Sequence, residues 1–392
     1  MTFRSPVEKA NSLTLGSVMS KLAAWMLNSQ PLVEAAKAFI VSRIVVLGTA
    51  YAFFYAHYLL GNAALPPAPA GYLEYGQGPL NWHPFNLLFY YDSVHYMSIA
   101  QYGYSSVLPL NNPTYFGHET TYLASFFPLY PLLIRLMGTS IGAGIFIANF
   151  SFLAALVAIY LIGGKRAAWF TAFSPITIVF SSVYAESLLL ALSAWAMLFA
   201  QRRQFLLCAL LAGLAALTRP AGWALIAGLF LFFALKKDWR VAFLSGIVAS
   251  LLGLIYPLFL WVKFGDPLLF SHATATIYHR TLSFPLCGVI NDVKNLFLSG
   301  INAVIIINLL GLILIAYSLS NPWWPYGLAY SLLILSVSGT HPQAAAVVSM
   351  LRYAGACAPV YLVPQKSKFF IACWAAFAMV YALFVAHKWF VV

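Results

Sequence analysis

Residues 141–163, IGAGIFIANFSFLAALVAIYLIG, carry no charged side chain, and this run limits the possible folds more than any motif in the chain. About 20 consecutive apolar residues form a helix long enough to cross the ~30 Å hydrocarbon layer of a bilayer, whereas a soluble domain has no use for such a surface. Comparable runs recur at about 38–60, 167–184, 187–200, 205–218, 221–235, 241–262, 297–319, 324–338, 353–364 and 369–389. Hydrophobic residues make up 62% of the 392, and charged residues only 8%, so lipid has to solvate much of the surface. The expected fold is an all-α polytopic membrane protein of about 11 transmembrane helices, forming one domain over residues 1–392. Several runs are shorter than a full crossing needs.

The net charge of +12, from 21 basic and 9 acidic residues, would fit a nucleic-acid binder if the bases formed a patch. Instead they flank apolar runs. Arg4, Lys9, Lys21, Lys37 and Arg43 precede or open the first run, and Lys165/Arg166, Arg202/Arg203, Lys236/Lys237/Arg240 and Lys366/Lys368 occupy alternate turns. The positive-inside rule places all of these in the cytoplasm, about 14 basic residues against 7 outside. This arrangement holds if TYLASFFPLYPLLIRLMG, with its two prolines and Arg135, stays at the outer surface or re-enters it without crossing. No secretory signal is expected at the N-terminus, which lacks a compact apolar core with a small-residue cleavage site. Cys208, Cys287, Cys357 and Cys373 have no paired spacing, so neither a disulfide framework nor a zinc site follows.

With this topology the distinctive polar residues fall on the outer face, many of them in a long first loop within about 61–140. Phe85 to Tyr104, FNLLFYYDSVHYMSIAQYGY, contains one acid, Asp92, with His95 three residues later and Gly103 placed to end a helix. The expected element is an amphipathic helix at the membrane surface, turning Val94, Met97 and Ile99 towards lipid or core. Asp92 is then either its N-cap or a catalytic carboxylate, two roles that are compatible.

Three more charged residues stand where apolar runs meet on the outer side. Glu186, in SPITIVFSSVYAES, is either an acid of an interfacial turn or a site residue, since acids at a membrane edge usually pair or line a cavity. Arg219 in AALTRPAGW and Arg352 in VVSMLRYAG are outer arginines that the positive-inside rule disfavours. A planar guanidinium suits a phosphate, although each arginine can equally pair with Glu186 or Asp92, or snorkel to headgroups. Histidines 83, 95, 118, 272, 279 and 341 lack metal-ligand spacing, and nucleotide-loop and hydrolase-elbow motifs are absent. No cofactor is expected, and dependence on a divalent metal stays open.

In order, YYDSVHYMSIAQYGY, ASFFPLYPLLIRL, SPITIVFSSVYAESLLLAL, LAGLAALTRPAGW and MLRYAGACAPVYL resemble the PIG-V family, the second GPI mannosyltransferase and its prokaryotic relatives, over about residues 85–365. The resemblance implies a GT-C glycosyltransferase that uses a polyprenyl or dolichyl phosphate sugar, typically mannose, at the outer face. It implies Asp92 as the acid after the first span, Glu186 as the acid of the Tyr-x-Glu-Ser turn, Arg219 in the Thr-Arg turn and Arg352 in the late Arg-Tyr pair. Where relatives often have Trp-Asp, this chain has Tyr91-Asp92, and a tyrosine can still stack on a sugar face. Tyr91, His95, Glu119, Glu186, Arg219 and Arg352 are the expected substrate-binding set.

The implied chemistry is an inverting transfer, with Asp92 as general base for the acceptor hydroxyl and arginines at the departing lipid phosphate. Glu119 or Glu186 would orient the acceptor. Expected partners are the lipid-phosphate sugar, an acceptor glycan or glycolipid, and membrane lipids, with no nucleic acid. A transporter or flippase of lipid-linked sugars is the competing class, disfavoured by the absence of a visible repeat and by polar residues at one face instead of the midplane. A structural subunit with a degenerate site is a third reading. No usable glycosylation sequon falls in an outer loop, which favours a bacterial or archaeal plasma membrane over the endoplasmic reticulum.

Overall fold

The computed structural model describes residues 29–59, 87–104, 120–277, 280–299, 306, 309–339, 349–362 and 368–386. Its elements are mostly helical. The chain opens with α1 (Gln30–Ser42), a π-helical turn (Arg43–Leu47) and α2 (Gly48–Leu59), then α3 (Asp92–Tyr102) and a 3₁₀ turn (Thr120–Ser125). Next come α4 (Leu129–Leu136), α5 (Ile141–Ala172), α6 (Glu186–Gln201), α7 (Phe205–Ala216), α8 (Ala221–Leu235), α9 (Trp239–Gly253), α10 (Ile255–Phe264) and α11 (Leu269–Ile277). The remaining elements are β1 (Arg280–Leu282), α12 (Cys287–Ser299), α13 (Gly311–Leu319), α14 (Trp324–Leu335), β2 (Val337–Gly339), α15 (Met350–Gly355), a 3₁₀ turn (Ala358–Leu362) and α16 (Lys368–Ala386).

The all-α expectation needs one amendment. Strands β1 and β2 pair antiparallel, with Arg280 opposite Gly339 and Leu282 opposite Val337. This short ladder ties the segment after α11 to the end of α14.

Helices α6 to α9 succeed one another through short turns and pack on their neighbours in sequence, so they run antiparallel. Arg202/Arg203 and Lys236/Lys237 therefore lie at one end of the bundle, and Glu186 and Arg219 at the other. Arg203 (φ 57°) and Lys237 (φ 62°) close their helices in the left-handed conformation. Lys165, at the far end of α5, joins the basic end, where its Nζ is 2.9 Å from Glu34 Oε2, and Lys37 approaches the same carboxylate at 3.2 Å. At the other end of α5, Ser140 caps the helix by accepting from the Ala143 amide at 3.1 Å, and the Tyr130 hydroxyl donates to the Gly144 carbonyl at 2.9 Å.

Two helices among the described residues are long and apolar enough to cross a membrane, Ile141–Ala172 and the nearly continuous Trp239–Phe264. Phe146, Phe150, Leu244, Leu251, Leu258 and Val262 stand exposed on them. Five apolar helices are shorter, among them Glu186–Gln201 and Ala221–Leu235. The expected span at 167–184 is helical only as far as Ala172: α5 breaks at Gly164 (φ 78°), and buried turns fill 173–185. Likewise the described part of the expected span at 353–364, residues 353–362, holds the end of a six-residue helix and a 3₁₀ turn, not a crossing. Segment 120–137 likewise forms a 3₁₀ turn and the eight-residue α4, about 12 Å long, which fits its expected placement without a crossing.

Close packing at the site end depends on small residues. A Cβ on Gly222 would fall 2.1 Å from the Ala215 carbonyl oxygen, so only glycine permits the tight α7–α8 turn that carries Arg219. A Cβ on Gly355 would meet Ile176 at 2.7 Å, which presses α15 against the irregular 173–185 segment.

Candidate active site

Two helix starts lie side by side because the segments ahead of them pair. The Val183 amide donates to the Leu88 carbonyl at 3.0 Å, the Ser182 hydroxyl bonds the Tyr90 hydroxyl at 2.9 Å, and the Tyr90 and Tyr184 rings lie 5.1 Å apart. Asp92 opens α3 and Glu186 opens α6, each in a first turn where exposed amides favour a negative charge.

Asp92 is not the cap. Tyr91 occupies that position with φ 40°, and no side chain caps the helix. A positive φ in a bulky residue costs about 1–3 kcal/mol, strain stored directly beside the carboxylate. The helix also departs from the expected amphipathic surface element, since every residue from Ser93 to Ala100 is buried. Gly103, at φ 72°, ends it as expected.

Arg352 links the two acids. Its NH1 donates to Asp92 Oδ2 at 2.6 Å, and its Nε lies 3.4 Å from Glu186 Oε1, an ion-pair contact without hydrogen-bond geometry. Arg219 NH1 donates to the same Glu186 oxygen. The Glu186 side chain is fully buried and that of Arg352 is 3% exposed, whereas Asp92 keeps 21%, so of the two acids Asp92 is the one open to a substrate. Both arginines thus pair with the acids instead of standing free for a phosphate. Asp92 Oδ1 and Glu186 Oε2 accept no hydrogen bond among the described residues.

Burial by itself would raise the Asp92 carboxyl, but the Arg352 and Arg219 guanidiniums outweigh it and hold the group below the usual carboxylate range. His95 is buried against Phe126, ring centroids 4.5 Å apart, and burial pushes its imidazole down to about 4. It is therefore neutral at ordinary pH. Tyr91 is half-buried and packs edge-on against Tyr90, 6.0 Å between centroids. Glu119 lies outside the described residues, as do His83, His118, His279 and His341.

Two residues that sequence reasoning missed complete the cluster. Tyr353 lies under three guanidiniums, their central carbons 4.8 Å (Arg352), 5.1 Å (Arg219) and 5.9 Å (Arg280) from its ring centroid. Its hydroxyl accepts from Arg280 NH1 at 2.7 Å and Arg352 NH2 at 3.0 Å. Arg280 was detectable by the criterion that found Arg219 and Arg352, because it too is a basic residue assigned to the outer side. Among the described residues no group of three or more histidines, cysteines or acids is placed to hold a metal ion.

The sequence matches no family model, and no curated protein matches it. A solved structure similar to it is that of an oligosaccharyltransferase from Archaeoglobus fulgidus, tethered through a disulfide to an acceptor peptide containing the NVT sequon. The alignment covers 93% of this chain and 55% of that one, at 14% identity and a TM-score of 0.34. This chain therefore spans about half the length of the protein it resembles.

Proposed function

We propose that this chain is a membrane glycosyltransferase of GT-C type, a single transmembrane domain that moves mannose from a polyprenyl or dolichyl phosphate mannose to an acceptor glycan or glycolipid at the outer face. The observation that carries the reading is Asp92, ionised by Arg352 and open at Oδ1, at the end of the bundle opposite the basic turns. Long helices with outward apolar side chains support the membrane setting.

Asp92 Oδ1 takes the proton of the acceptor hydroxyl, whose oxygen attacks the anomeric carbon. The bond from that carbon to the phosphate oxygen breaks, and the lipid phosphate leaves with the electron pair. One base and one displacement invert the anomeric centre without a covalent enzyme intermediate. Glu186, fully buried, holds Arg219 and Arg352 beside the base. Tyr91 offers an aromatic face beside the base.

The test is transfer of radiolabel from polyprenyl phosphate mannose to endogenous acceptors in membranes with and without the protein, run beside a counterflow assay. Transfer dependent on the protein supports the reading. Counterflow of the lipid-linked sugar without transfer would establish a transporter instead, and neither activity would leave a structural subunit.

A further inference from the structure

Among the described residues the site holds three guanidiniums and two carboxylates. Arg219 is paired with Glu186, and Arg352 with Asp92 and Glu186. Arg280 is not paired in this way: among the described residues no carboxylate meets it, and its partner is the phenol of Tyr353. That phenol oxygen already accepts from Arg280 and Arg352. Its own proton is left to be given away, and two cationic donors on the oxygen strengthen any bond it gives. Among the described residues the spare N–H groups of Arg280 and the Tyr353 O–H thus form a set of donors without an acceptor, on two half-buried side chains that a ligand can reach.

We propose that Arg280 and Tyr353 form the anion subsite of this protein and bind the phosphate of a polyprenyl-type lipid, in place of the carboxylate-paired arginines. The inference rests on the transferase reading for its choice of lipid and sharpens it. A guanidinium with several free N–H groups can grip a phosphate through two parallel bonds, and among the described residues no carboxylate neutralises the charge of Arg280, as Glu186 and Asp92 do for Arg219 and Arg352. The β1–β2 ladder fixes the position, because it anchors Arg280 to the end of α14 while the Tyr330 hydroxyl of α14 bonds the Tyr353 carbonyl at 2.9 Å.

The test is binding of farnesyl phosphate, farnesol and inorganic phosphate to the full chain in neutral detergent, with phosphatidylglycerol micelles as competitor and the melting temperature recorded for each variant. Expected is farnesyl phosphate binding that weakens ~10- to 100-fold in Arg280→Ala and less in Tyr353→Phe, which keeps the ring under the guanidiniums but removes the donor. Farnesol binding should not change between variants. If the wild-type protein binds farnesyl phosphate and both variants bind it equally well, the subsite is wrong and the transferase reading stands. No binding by the wild-type protein would overturn both. Equal competition by phosphatidylglycerol, or by inorganic phosphate alone, would assign the subsite to bulk headgroups or free phosphate and overturn the lipid assignment.

Discussion

Arg352 donates from NH1 to Asp92 Oδ2 at 2.6 Å, joining residues 260 positions apart and leaving the other carboxylate oxygen open. The pair both ionises the acid and fixes its direction. Replacing Asp92 with Asn removes the proton acceptor and also one charge facing Arg352. Transfer should fall by ~10² to 10⁴, the usual cost of losing a general base, while farnesyl phosphate binding persists. Because Asp92 is an ion-pair partner and not a helix cap, the variant should also melt earlier than the wild-type protein. Initial rates and melting curves on one detergent preparation decide the matter, and near-normal turnover in folded Asp92→Asn would remove the base assignment.

Glu186 takes both Arg219 and Arg352 on one oxygen, with its side chain fully buried. Glu186→Gln leaves two guanidiniums with one charge fewer, and breaking a buried pair typically costs about 3–5 kcal/mol. The expected outcome is a clear drop in melting temperature together with lost activity. An unchanged melting temperature would show that Glu186 is dispensable to the bundle.

The pH profile follows from the same contacts. The folded carboxyl of Asp92 is held below its ordinary value, so its ionised form is present above the carboxylate range and is lost only as pH falls beneath it. His95, at about 4, contributes no titration between pH 5 and 8. The rate should therefore show no acid limb in that window. In Arg352→Gln the burial cost is no longer offset by its main opposing charge, and the acid limb should move upward. An acid limb near pH 6.5 in the wild-type protein would contradict this account of both residues.

Topology can be read by labelling single cysteines in a cysteine-free background. A probe at Arg202 or Lys237 should be protected from an impermeant reagent added outside, and one at Thr276, exposed at the end of α11, should react. Reaction at Lys165 from outside would reverse the assignment of α5 and every later turn.

Much of this protein follows from the order of its residues. The uncharged run after Ser140, the basic turns at 165–166, 202–203 and 236–237, and Gly103 as a helix stop are properties of single segments, and local rules of hydropathy, charge and backbone freedom are enough to read them. Asp92, Glu186, Arg219 and Arg352 were legible as a set because charges stand out in so apolar a chain, and the fold brings them into contact.

Tertiary contacts decided how these charges are used. The sequence left Asp92 as cap or base, and the strained Tyr91 took the cap position because the Leu88–Val183 pairing sets how the chain enters α3. It left Arg219 and Arg352 to a phosphate, to Glu186 or Asp92, or to headgroups, and the structure pairs them with acids 33 to 260 residues away, since buried charges with acids in reach neutralise one another first. Arg280 could be picked out as an outer basic residue, but its meeting with Tyr353 came into view only once β1 and β2 had paired, because no local pattern records which segments of a chain will meet.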